Sequence, residues 1–184
     1  MKHFLVIVAA LLWTGLAAAQ TFPTRPVRIV VPFPPAGAVD IQEDRFFLTG
    51  KGNLVDLVPD ETASNGKAAR MPGGHVDWAT QFHIPKDSKE FGKGPWTCYF
   101  VIRVKLNNKS GSAFTYGLFD QKSQTHIAME GIGMDMAGDE KYHAYAVKLP
   151  ELRPGMFFWV AGPGTDAVEG VYIDRIYVVK DTKP

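Results

Sequence analysis

The stretch Trp96-Thr97-Cys98-Tyr99-Phe100-Val101-Ile102-Arg103-Val104-Lys105-Leu106 decides the fold class. Successive side chains of an extended chain point to opposite faces. Trp96, Cys98, Phe100, Ile102, Val104 and Leu106 therefore share one face, while Thr97, Arg103 and Lys105 lie on the other. This is the pattern of a half-buried strand whose outer face turns polar toward its carboxyl end. The closing run, 171–180, alternates too, but both of its faces are largely apolar. It belongs inside a sheet, with Asp174 as its odd member. Further runs at 45–49, 53–58, 67–71, 76–84, 112–120, 124–130, 142–149 and 156–161 predict strands. Gly50, Gly52, Asn65-Gly66, Gly73-Gly74, Asn107-Asn108, Gly138 and Pro163-Gly164 separate them as turn punctuation. Segment 139–149 reads either as a strand or as a short helix. Short strands with regular turn signals predict an all-β antiparallel sandwich or barrel, not a helical or doubly wound fold.

Composition narrows the function. The 184 residues carry 20 Lys plus Arg, 19 Asp plus Glu and a single cysteine. Residues 1–19 open with Lys2 and His3, continue through an apolar run and end in Ala17-Ala18-Ala19. They read as a secretory signal peptide cleaved after Ala19, which predicts a periplasmic or secreted protein. The apolar run falls short of the roughly 20 residues that span a bilayer, and no later segment is long and apolar enough. Without Lys2 the opposite charges balance, which argues against non-specific nucleic-acid binding and against a polybasic membrane anchor. One cysteine excludes an intrachain disulfide and a zinc site built from several thiolates. Cys98 reads as a small buried apolar residue.

The segment 20–41 has a different character. An apolar run, Val27 to Phe33, leads into Pro34-Pro35-Ala36-Gly37 and then Asp40. This stretch resembles the mature N-terminus of the periplasmic solute receptors of tripartite tricarboxylate transporters. That resemblance implies a ligand carboxylate held near Ala36, Gly37 and Asp40. The receptors need two lobes of alternating strands and helices, and nothing after Ile41 supplies the helices. Residues 20–40 are therefore read as a borrowed leader, and 41–184 as the sandwich domain.

Within that domain, Val58 to Arg70 contains Ala63-Ser64-Asn65-Gly66, and Val76-Asp77-Trp78-Ala79 follows as a strand. Trp96 to Val104 and the closing Val171-Tyr172-Ile173-Asp174-Arg175-Ile176 complete the series. In this order the segments resemble galactose-binding-like jelly rolls, including carbohydrate-binding module families six and thirty-five. The resemblance implies a jelly-roll sandwich that binds a polysaccharide without cleaving it. It also implies a structural Ca²⁺ held by acids from the first and last strands, here Glu43, Asp44 and Asp174. An acid inside an apolar strand is costly unless paired or metal-bound. Asp174 is accordingly a calcium ligand, a salt-bridge partner of Arg70 or Arg103, or part of an exposed face.

A sugar offers apolar C–H faces and many hydroxyls, so its site needs an exposed aromatic platform flanked by polar side chains. Trp96 and Trp159 are the candidate platforms because each stands beside a loop, with Tyr116 and Tyr142 as secondary candidates; each is core packing if buried. Trp78, inside a predicted strand, reads as core. Asp120, Gln121, Asp166 and Glu169 stand at strand ends, where they bind hydroxyls or serve as solvated turn residues. Catalysis finds no support. His75, His83, His126 and His143 lack metal-ligand spacing, no Gly-x-Ser-x-Gly elbow occurs, and no carboxylate pair stands out. A carboxylate receptor and a protein-binding sandwich are the alternatives, the latter marked by an exposed apolar patch.

Overall fold

The computed structural model describes residues 38–48, 54–107 and 110–181. The predicted signal peptide, most of the predicted leader and two candidate carboxylate-site residues, Ala36 and Gly37, lie outside the described residues. Eleven strands follow in chain order: β1 (Ala38–Gln42), β2 (Phe47–Leu48), β3 (Asp56–Pro59), β4 (Lys67–Pro72), β5 (Thr80–His83), β6 (Lys93–Leu106), β7 (Ser112–Asp120), β8 (Thr125–Gly133), β9 (His143–Glu151), β10 (Met156–Ala161) and β11 (Val168–Lys180). A 3-10 turn, Glu43–Arg45, joins β1 to β2, and one short helix, α1 (Met134–Ala137), follows β8.

The strands form two antiparallel sheets. One has the order β3-β4-β11-β6-β9, with β1 also paired to β11; the other is β2-β5-β10-β7-β8. The predicted all-β sandwich is thus the observed fold. Strand β11 explains how six strands share the first sheet. Its residues 170–173 pair with β4, the register shifts between Ile173 and Arg175, and residues 175–179 then pair with β1. Strand β1 therefore begins before the boundary at residue 41 that the change of composition suggests, and Asp40 is a sheet residue opposite Tyr177.

The core lies between the sheets. Cys98, Phe100, Ile102, Val104, Ile173, Ile176 and Val178 come from the first sheet, and Phe114, Tyr116, Leu118, Met156, Phe158 and Val160 from the second. Burying each large apolar side chain contributes about 1.5–3 kcal/mol. Tyr116 reaches across the interior, its hydroxyl donating to the Ala146 carbonyl oxygen at 3.4 Å. Segment 139–149 resolves as strand from His143 onward, because Tyr145 and Leu149 must face this core. The predicted strand 76–84 shortens to Thr80–His83.

Candidate functional site

Strand β10 reads Met-Phe-Phe-Trp-Val-Ala and carries no charged side chain on either parity. Met156, Phe158 and Val160 face the core, so Phe157, Trp159 and Ala161 face outward, where a strand usually turns polar. These three form a second apolar cluster, against which Trp78 and Phe119 pack. Strand register spreads the cluster over the outer face of the five-stranded sheet. Phe47, Gln81, Trp159, Gly117 and Met129 lie opposite one another in one row; His83, Phe157, Phe119 and His126 form the next.

Trp78 closes the cluster. Its ring stacks on Trp159 with centroids 4.9 Å apart and planes at 23°, and it lies 5.2 Å from Phe119 and 5.0 Å from His126. It is carried by the segment 73–79, which folds over the sheet instead of joining it. Ala79 N–H donates to the Asp77 carbonyl oxygen at 2.8 Å, and Gly164 N–H donates to that of His75 at 3.1 Å. Two glycines permit this approach. A Cβ at Gly162 would stand 2.5 Å from the His75 carbonyl oxygen, and Gly164 has φ of +71°. A shallow hollow of about 340 Å³ opens beside Trp78, lined by Val76, Asp77, Trp78 and Gln81.

This face unites an apolar floor with polar edges. Phe47 and Met129 are 58% and 59% exposed at its two ends. His83 and His126 are exposed, and Gln81 donates from Nε2 to the Trp78 carbonyl oxygen at 2.7 Å. The indole N–H of Trp159 is buried and makes no hydrogen bond. A flat, hydroxyl-bearing molecule meets both of its requirements here: ring contact from Trp78 and hydrogen-bonding groups around it.

Several sequence-based candidates are corrected. Trp159 is 1% exposed, so it is not a platform; Trp78, read from sequence as core, covers it and is half-buried. Trp96 is 2% exposed because it faces the core, with Nε1 donating to the Gly92 carbonyl oxygen at 2.9 Å. Tyr116 lies between the sheets, and burial pushes its hydroxyl up to about 12. Tyr142 precedes β9 of the other sheet and donates to Asp60 Oδ2 at 2.7 Å, with the Arg103 guanidinium 5.4 Å from its ring centroid. Asp120 is buried and structural: it accepts from Lys122 N at 3.0 Å and Ser123 Oγ at 2.7 Å, and it pairs with Arg153. Asp166 and Gln121 are exposed loop residues, and Glu169 pairs with Lys105 at 2.8 Å. None of these polar groups joins the Trp78 cluster.

An acid just after the first strand and one within the last are reached by a single turn. Glu43 and Asp174 are each 3% exposed. Adjacent residues of one turn reach both: Ser64 donates from N and Oγ to Asp174 Oδ1 at 2.9 and 2.8 Å, and Asn65 Nδ2 donates to Glu43 Oε2 at 2.7 Å. Desolvation raises the Asp174 carboxyl, opposed by the Ser64 hydrogen bonds. Arg103 is not its partner but pairs with Asp60; the nearby cation is Arg175, with Nε 3.8 Å from Asp174 Oδ2. Among the described residues no cation pairs with Glu43, which leaves a buried carboxylate facing a neutral amide. The Ser64 hydroxyl and Gln42 Oε1 stand nearby as oxygens of the kind Ca²⁺ takes, whereas Asn65 turns its amide nitrogen to Glu43 and its oxygen accepts from Lys67 N–H at 3.2 Å. Asp44 is exposed and lies outside this set. No group of three or more His, Cys, Asp or Glu side chains suited to a metal occurs among the described residues.

The architecture defines an antiparallel jelly-roll sandwich with an aromatic outer face. Solved structures share it. The CBM27-1 module of Caldicellulosiruptor saccharolyticus, determined with mannohexaose, aligns over 80% of this chain and 100% of its own, with a TM-score of 0.54 and 13% identity. The CBM22-1 xylan-binding domain of Paenibacillus barcinonensis Xyn10C aligns over 79% of this chain and 95% of its own, with a TM-score of 0.52 and 9% identity. At these identities the likeness is one of fold. Neither a protein-family profile nor a curated protein sequence matches the chain.

Proposed function

We propose that this chain is a non-catalytic carbohydrate-binding module that takes a polysaccharide on the outer face of the five-stranded sheet. The carrying observation is the partly exposed Trp78, stacked on Trp159 and extended on either side by exposed Phe47 and Met129. Four interstrand spacings separate β2 from β8, about 19 Å, room for a short run of pyranose rings. Pyranose C–H faces lie on the indole, and Gln81, Asp77 and the two histidines address the hydroxyls. The sandwich neighbours, one solved with mannohexaose and one a xylan-binding domain, support this reading. The signal-like residues 1–19 support an exported setting. Trp78→Ala removes the platform and is expected to weaken binding by about 2 kcal/mol, about thirtyfold. Affinity electrophoresis through mannan and xylan gels measures this; unchanged retention in every glycan bound by the wild type would refute the site.

A structural Ca²⁺ belongs to the same proposal. Glu43 and Asp174 would hold it, with neutral oxygens from Gln42 and Ser64, and bound there it would neutralise two buried carboxylates.

A further inference from the structure

We propose that His83 is a ligand-binding residue whose ring is held as the Nε2–H tautomer by a relay through Gln81, leaving Nδ1 to accept a hydrogen bond from a glycan hydroxyl. This rests on the glycan-binding reading of the aromatic face. The chemistry of the partners fixes the relay. A backbone carbonyl only accepts, so the amide end of Gln81 that faces Trp78 O at 2.7 Å is its NH₂. The Gln81 oxygen then faces His83 Nε2 at 2.8 Å. An amide oxygen also only accepts, so Nε2 carries hydrogen. In a neutral imidazole the other nitrogen is then an acceptor. No group among the described residues donates to it.

Packing holds the ring where this matters. His83 stacks on Phe157 at 4.7 Å and 20°, and meets the edge of Phe47 at 6.0 Å and 83°. The acceptor therefore belongs to the aromatic face itself, and the relay ties it to the backbone of the platform residue Trp78.

Proton binding competes with the ligand. Desolvation alone lowers His83 from its ordinary value of 6.5. The two strands packed against its ring, β2 and β10, carry no titratable side chain. Other titratable groups near it in sequence or register are Asp77 in the covering segment, His126 at the far end of the same row and Lys86 beyond β5, while Arg45 before β2 lies over the core residue Phe82. A donated hydroxyl depresses His83 further, so affinity is full above its free-state titration and is lost as pH falls through it.

The experiment pairs ¹⁵N-histidine NMR of the full chain with titrations of mannohexaose and xylohexaose between pH 7.5 and 5. The expected free-protein spectrum shows His83 protonated at Nε2 and bare at Nδ1, shifting to a tautomer mixture in Gln81→Met. Wild-type affinity should fall several-fold toward pH 5. His83→Asn places a non-titrating oxygen near the Nδ1 position, and its profile should be flat. A Nδ1–H tautomer, or a Gln81→Met spectrum unchanged from wild type, overturns the relay. Glycan binding with a flat wild-type profile, or with the same fall in His83→Asn, overturns the role of His83 and leaves the glycan site standing. Absence of binding to either sugar at every pH defeats both.

Discussion

Arg103 engages three side chains at once. Its guanidinium donates to Asp60 Oδ2 at 2.6 Å and lies 4.0 Å from the centroid of Tyr172 and 5.4 Å from that of Tyr142. Burial alone would raise Asp60, but hydrogen bonds from Thr62, Arg103 and Tyr142 outweigh it and hold the carboxyl at about 2. Asp60 also opens the turn that carries Ser64 and Asn65 to the buried acids, accepting from Thr62 N at 3.0 Å. Arg103→Met keeps much of the stem's volume while stranding the Asp60 charge, and is expected to cost about 3 kcal/mol, read by urea unfolding at pH 7. The sign with pH follows from a depressed carboxyl. Its contribution is complete above the ordinary value of 3.8 and disappears as pH falls toward 2. Arg103→Met should therefore narrow its gap from wild type in acid.

At the level of strands and loops, β10 was legible as a strand from its apolar run and the Pro163-Gly164 turn that follows it. The same run held an unread signal: both parities are apolar, so the strand needs cover on its outer face as well as its inner one. The cover is the segment 73–79, and here alternation misled. Val76, Trp78 and Thr80 have the period of a strand, yet pairing starts only at Thr80. Period-2 patterning reports side-chain parity and cannot distinguish a paired strand from a segment folded across a sheet. Trp78 for that reason reads as core, while Trp159, beside a loop, reads as a platform or as core; the packing buries Trp159 and leaves Trp78 partly exposed. The glycines that seat the segment offer a test. Gly162→Ala drives a methyl against the His75 carbonyl oxygen and should cost about 1–3 kcal/mol. Glycan affinity should drop alongside, since displacing 73–79 moves Trp78. A melting temperature and an affinity both equal to wild type would contradict this account of the loop.

On the scale of the molecule, the sandwich was readable because β6, β7, β10 and β11 have strong patterns and sharp turns. The rest depended on contacts between distant segments. Asp174 was conspicuous as an acid in an apolar strand, and Glu43 as an acid at the domain's start; nothing in the spacing says that Ser64 and Asn65 would stand between them. The arrangement joins the first, fourth and last strands through one turn, so an ion there acts on the whole fold. Since burial raises Asp174, its ionised form weighs against folding at neutral pH, and a bound divalent cation would remove that cost. At a hundredfold excess over Kd, calcium should add about 2.7 kcal/mol, raising Tm by about 5–10 °C. Calorimetry with calcium and with EDTA checks this, and the gain should shrink at pH 4 as protons compete for the same oxygens.

The stacked indoles give the molecule an optical asymmetry. Trp96 and Trp159 are shut away from solvent while Trp78 stands partly in it, so a water-borne collisional quencher such as iodide reaches one of these three emitters and spares the other two. A saccharide settling on the aromatic face would shield that one, and occupancy could be followed by light from the unlabelled protein.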